Sequence, residues 1–271
     1  MRSPKELSLD TKIVDAVTGF ELSGRAVRAV KSLLGDAEVQ AFQEYANTVS
    51  IKRIGYNDHG PVHMRTVALN AVIMLGLLRQ AGIRTSLESE ECGGFEDSLI
   101  AVVLAATLHD LGMTVGRQDH EFHSVYLAGP ILERLLREAY PEDIQKQVMV
   151  RSLAIEGIAG HMGNRAIHSL EAGVILIADG CDMTKGRARI PMALAERPRV
   201  GDIHKYSANS IEEVRLSSGR EKPIRIDVLM SSEIGLFQVE EVLLGKIATS
   251  TAKRYTELYA LMDGQEAKRY L

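Results

Sequence analysis

Residues 99–112 read LIAVVLAATLHDLG, in which ten uncharged and mostly apolar residues are followed by His109 and Asp110. A run apolar on every face reads as a helix, over about 97–109, buried on all sides. An imidazole and a carboxylate at the end of such a helix are costly unless both find strong partners. A metal ion satisfies both, because neutral imidazole nitrogen and carboxylate oxygen are standard ligands. Gly112 is expected to end the helix in the left-handed conformation. The same oddity recurs at Asp179, which closes the apolar stretch AGVILIA, and His63 is a third candidate, in the first turn of a helix opened by Pro61. Taken singly, each is equally a buried polar group bonded within the core. Taken together they favour one metal centre.

Working outward, residues 26–34 form a helix stopped by Gly35, and Asp36 caps a second over 37–49. The helix opened by Pro61 runs to about 79, and the glycines of 82–95 mark a loop. Helical patterns follow near 121–138, 142–159 and 166–179, with Pro130 kinking the first and Pro141 opening the second. Residues 186–206, with Gly186, Pro191, Pro198 and Gly201, read as irregular. Then the period changes. IEEVRL (211–216) and PIRIDVLM (223–230) alternate as a β-hairpin around Gly219, and an amphipathic helix is expected from about 237 to 262. The expectation is a mainly α chain: a helical domain over 1–205 and a small β-β-α module over 206–271. The module is expected to pack on the helices or to form a homodimer interface.

Composition narrows the function classes. With 32 Lys and Arg against 36 Asp and Glu the net charge is −4, and with aromatics at 5% and no Trp neither a basic nucleic-acid surface nor a stacking platform is expected. No apolar run reaches the length of a membrane span, and MRSPKELSLDTK lacks the apolar core of a secretory signal. A cytoplasmic location is expected. Cys92 and Cys181 are too few for a disulfide framework, and neither has the surroundings of a nucleophile.

His63 in HMRTVALNA, His109-Asp110 in LAATLHDLG and Asp179 in ILIADGCDMTKGR together resemble the HD-domain superfamily of metal-dependent phosphohydrolases, a helical-bundle family, over about residues 55–190. The resemblance implies that these four residues hold a divalent ion (Mn, Fe, Zn, Co, Ni or Mg, singly or as a pair) that activates water for attack on phosphorus. It implies a small phosphorylated substrate, a phosphomonoester or phosphodiester, with nucleotides foremost. His59 stands four residues before His63 and resembles the general acid of related cyclic-nucleotide phosphodiesterases, although Gly60 follows it where those enzymes have Asn. His120 or His123, with His161, resembles the second-metal ligands of dinuclear members; the alternative is that His120 and His161 face the substrate phosphate.

Lys185, Arg187 and Arg189, directly after Asp179 in TKGRAR, suit phosphate binding, and Lys52 and Arg53 are weaker candidates. Asp182 is read as a partner of a ligand or as a backbone cap. His168 and His204 fit no motif. Two other functions compete: a di-iron oxygenase using the extra histidines, and a regulatory nucleotide-binding module without turnover. A net charge of −4 does not disfavour a small anion, because an ion and a few cations reverse the field inside a cleft.

Overall fold

Side-chain caps set the starts of several helices. In the computed structural model, which describes residues 2–184, 207–262 and 266–271, α1 spans Pro4–Thr18. The Ser3 hydroxyl accepts from the Glu6 amide, and the Glu6 carboxylate accepts from the Ser3 amide, which satisfies two free donors reciprocally. α2 (Arg25–Gly35) stops at Asp36, whose carboxylate caps α3 (Ala37–Thr48) on the amides of Glu38 and Val39. A π-type turn, Val49–Arg53, and a loop lead to α4 (Pro61–Gln80). α5 is a single turn, Ser86–Ser89, inside the stretch expected to be loop. α6 (Phe95–Leu108) is buried along nearly its whole length, as its composition requires. α7 (His120–Ala139) runs past Pro130, and α8 (Ile144–Gly160) and α9 (Leu170–Cys181) follow.

Several expected boundaries move. α8 does not open at Pro141; it follows Asp143, whose carboxylate accepts from the Lys146 amide at 3.0 Å, a contact that stabilises a helix start more than a residue merely lacking its donor. α9 begins at Leu170 rather than 166, because the Ser169 hydroxyl caps the Ala172 amide. Gly112 is not left-handed. Closeness explains it: a Cβ there would lie 2.0 Å from the His120 carbonyl oxygen and 2.7 Å from the Ser124 nitrogen. The end of α6 thus rests on the first turns of α7. Gly112→Ala is expected to cost about 1–3 kcal/mol in urea unfolding, because the backbone at His120 must retreat. A variant as stable as the parent contradicts this contact.

The C-terminal segment departs furthest from expectation. β1 (Ile211–Ser218) and β2 (Ile224–Met230) form the expected antiparallel hairpin. The helix does not reach 262: a π-type stretch, Gln238–Leu243, passes into α10 (Leu244–Thr249), and Thr256–Met262 is β3. β3 pairs with β2 in parallel, from Ile224 opposite Thr256 to Met230 opposite Met262, and β4 (Lys268–Arg269) pairs antiparallel with β3. Successive parallel strands need a crossover, so the helix must end early enough for the chain to run back beside β2. Ser250 and Thr251 make that stop: their hydroxyls donate to the carbonyls of Gly173 and Ser169 in the first turn of α9, at 2.9 and 2.7 Å.

A continuous apolar core joins Leu75, Leu104 and Ile175 of the helices to Ile226, Val228 and Leu258 of the sheet. The expected division at 205 falls outside the described residues, as does the irregular stretch 186–206. On length and composition alone, Pro61–Gln80 and Phe95–Thr114 are apolar enough to cross a membrane, but both are mostly buried inside the protein.

Two polar ties hold this core. Arg65 of α4, 2% exposed, donates to Asp10 of α1 at 2.7 Å and to Gln40 and Gln43 of α3 at 3.0 and 2.8 Å. Gln43 in turn donates to the Thr107 carbonyl at 2.9 Å, at the end of α6. Asp97 accepts from the Gly94 amide, Tyr140 and Lys146 at 2.8–2.9 Å. Burial would raise its pKa, but these donors bring it below the usual value. A depressed folded pKa gives stability that is present above the unfolded value of about 3.9 and is lost as pH falls through the lower folded value. In urea unfolding between pH 5 and 2, Asp97→Asn is expected to flatten the acid limb; an unchanged slope rules out this contribution.

Candidate metal centre

Three helix ends and the first turns of two further helices converge on one buried point. α6 ends at Leu108 and delivers His109 and Asp110; α8 ends at Gly160 and delivers His161; α9 carries Asp179 in its last turn. His63 comes from the first turn of α4, and His120 opens α7 immediately after Asp119, a non-glycine residue in the left-handed region (φ 53°).

The nitrogens and oxygens meet in two adjoining sets. In the first, His63 Nε2 lies 3.2 Å from His109 Nε2, 3.3 Å from Asp110 Oδ2 and 3.3 Å from Asp179 Oδ1; His109 Nε2 lies 3.4 and 3.7 Å from the same two oxygens. In the second, the other oxygen of Asp110, Oδ1, lies 3.2 Å from His120 Nε2 and 3.5 Å from His161 Nε2, and those nitrogens are 3.1 Å apart. Asp110 faces both sets.

These atoms fit a cation. Each ring has committed its other nitrogen to a group that can only accept. The Nδ1–H of His109, His120 and His161 donates to the carbonyls of Ala106, Arg117 and Ile158 at 2.7–2.9 Å, each three residues earlier, and that of His63 donates to Asp182 at 2.7 Å. The Nε2 atoms therefore face one another and carboxylate oxygens, an arrangement that calls for positive charge among them: a proton on His109, the Arg117 guanidinium beside His120, or a bound cation in their place. Ligand atoms about 2.1 Å from one ion stand roughly 3.0–3.4 Å apart, close to the spacings observed. Partners of this kind, fixing tautomer and ring plane, are what metal-binding histidines require.

The electrostatics agree. Burial would raise the carboxyls of Asp110 and Asp179, yet His109 and His59 around the one, and Lys246 and His109 around the other, hold both well below the usual carboxylate range. Burial would lower His109, but the same two carboxylates raise it to about 9, while burial pushes His161 down to about 4. A divalent ion would take the place of the His109 proton between the two carboxylates, and the mixed N/O donors do not choose among Mn, Fe, Zn, Co and Ni.

The other expected residues fall on either side of this cluster. His59 lies beside it, its Nδ1–H donating to Asp110 Oδ2 at 2.6 Å, and with His63 and Asp110 it forms a further group able to hold an ion. His123 stands apart: its Nδ1 is buried and has no hydrogen-bond partner among the described residues, and His120 occupies the position open to either of them. Asp182 has both of its expected roles, accepting from His63 and donating its backbone N–H to the Asp179 carbonyl at 3.1 Å. Arg53 is exposed and engaged with Tyr45, and Lys52 is exposed. Burial and the neighbouring Asp179 and Asp182 push the Cys181 thiol far up, so it offers no thiolate. Lys185, Arg187, Arg189 and His204 lie outside the described residues.

Two cations not singled out from the sequence also reach the cluster. Arg117 Nη1 donates to His120 Nε2 at 3.3 Å, and its Nη2 lies 3.7 Å from the Met162 sulfur. Lys246 of α10 pairs with Asp179 Oδ2 and donates to the His161 carbonyl at 2.7 Å. The signal for Lys246 was the one already used for Asp179, a lone charge in an apolar run, here VLLGKIA.

Compared with known proteins, the chain belongs to the same family as a protein of Methanocaldococcus jannaschii named as uncharacterized protein MJ1020. The two are 42% identical over 234 residues, 86% of this chain and 88% of that protein. No protein-family model and no solved structure matches the chain.

Proposed function

We propose that the protein is a metal-dependent phosphohydrolase of the HD-domain type, acting on a phosphomonoester or phosphodiester of a small molecule, with nucleotides as the first class to try. The reading is carried by Asp110, whose two oxygens face two adjoining sets of imidazole nitrogens. A divalent ion held there supplies charge neutralisation at phosphoryl oxygens and a water acidified toward neutrality. Everything else is done by the chain. His63, His109, Asp110 and Asp179 would hold the ion, and His120 and His161 would offer a second position. His59 keeps its ring against Asp110, which stabilises its protonated form, and gives its proton to the departing oxygen. Arg117, whose partners among the described residues are an imidazole nitrogen and a thioether, is placed to donate to an oxyanion. Lys185, Arg187 and Arg189 are proposed to contact the phosphate.

Elemental analysis of the native protein, paired with a panel of phosphomonoesters and phosphodiesters, tests this. The expected result is one or two transition-metal ions per chain and phosphate release that chelation abolishes and added metal restores. Hydrolysis unaffected by exhaustive chelation contradicts it. The second set of nitrogens also favours the di-iron oxygenase reading. Two irons per chain in anaerobically purified protein, with no phosphate release from any substrate, select that alternative.

A further inference from the structure

The helices α8 and α9 that carry His161 and Asp179 are joined at the centre by a residue from the far end of the chain. Lys246 lies on α10, 67 residues after Asp179, and its side chain is 13% exposed. Its ammonium pairs with Asp179 Oδ2, while Asp179 Oδ1 is the atom turned toward His63 and His109. The same ammonium donates to the His161 carbonyl at 2.7 Å, one of the carbonyls left unpaired at the end of α8. The approach is built into the backbone: a Cβ at Gly180 would lie 3.0 Å from Leu243 and 3.1 Å from the Lys246 stem, and one at Gly173 would lie 2.1 Å from the Thr251 hydroxyl. Small residues two turns apart on α9 thus open the face on which the crossover helix docks.

We infer that Lys246 is a positioning residue of the metal centre, and that the C-terminal module is therefore part of that centre rather than an appendage. By occupying Oδ2, the lysine holds the Asp179 carboxylate to a single presented oxygen and prevents the rotation that would turn it away from His63 and His109. By bonding the His161 carbonyl, it ties the position of the second set of nitrogens to that of the first. The inference rests on the metal-binding part of the proposed function and not on the phosphohydrolase part.

The test separates orientation from charge. A lysine beside the site repels a cation, so removing it for charge reasons alone would tighten metal binding; removing an orienting contact weakens it. Full-length protein is stripped with chelator and titrated with Mn2+ alone, as wild type, Lys246→Met and Lys246→Arg, with thermal unfolding of the metal-free forms alongside. The expected result is an affinity about 10- to 100-fold weaker for Lys246→Met, with a substantial part restored in Lys246→Arg, which keeps the charge and N–H donors for both acceptors. Folded Lys246→Met that binds Mn2+ as tightly as wild type, or more tightly, overturns the role, whatever its thermal stability. If Lys246→Met does not fold, Lys246→Gln, which keeps a donor and drops the charge, carries the same comparison. Wild-type protein that takes up no ion overturns this inference and the metal reading together. Ion binding weakened as expected but without hydrolysis of any phosphoester leaves the lysine's role supported and sinks only the phosphohydrolase reading.

Discussion

Asp110→Ala is expected to lose bound metal and phosphate release together while keeping its helical fold. Asp110 gives one oxygen to each set of nitrogens and accepts from His59, so its removal strips a ligand from both positions and the support from the proposed acid. Removing one partner from a buried charged cluster costs roughly 3–5 kcal/mol, and a loss of that size at about 1.4 kcal/mol per tenfold corresponds to ion affinity roughly 100- to 4,000-fold weaker. The helices should survive, because the other rings are held by backbone carbonyls and by Asp182 rather than by Asp110. Metal content and turnover are measured on variant protein whose circular dichroism matches the parent. Full turnover by a well-folded Asp110→Ala protein ends the account of the mechanism.

Arg65→Ala should give the largest loss of stability outside the centre. The guanidinium is buried and joins α1, α3 and α4 through Asp10, Gln40, Gln43 and the Pro61 carbonyl. Truncation leaves a cavity and unpaired amide oxygens, though Asp10 keeps its contact with Arg2. A cost of about 3 kcal/mol follows, at the low end for a broken buried pair. That corresponds to roughly 6–12 °C in Tm at about 2–4 °C per kcal/mol for a chain of this size. Denaturant unfolding that shows less than about 1 kcal/mol would mean the network is replaceable by water.

Much of the centre was legible because its residues break a pattern. His109, Asp110 and Asp179 interrupt apolar helices that no hydrogen-bonding need of those helices explains. Local spacing could not choose between His120 and His123, since both lie on one face of α7; the left-handed turn at Asp119 and the close approach of Gly112 bring His120 inward. Lys246 was legible as an unusual charge but not as part of the centre, because only the crossover between β2 and β3 carries α10 onto α9. That crossover was itself obscured. TELYALM at 256–262 follows a helical segment and alternates too briefly to announce a strand, and its partner β2 is remote in sequence. Arg65 stood as plainly in HMRTVALNA as His63 does, yet its meaning depends on Asp10 and Gln43, which sequence does not place beside it.

The central claim, that these side chains form a metal centre bridged by Asp110, is tested most directly by anomalous diffraction from crystals of Mn2+-loaded protein. The account predicts a peak about 2.0–2.4 Å from Nε2 of His63 and His109 and from the carboxylates of Asp110 and Asp179. Where a second ion binds, its peak should lie about 3.5–4 Å away, against His120 and His161. Loaded crystals with no anomalous density among these atoms, or with the ion bound elsewhere on the chain, would contradict it.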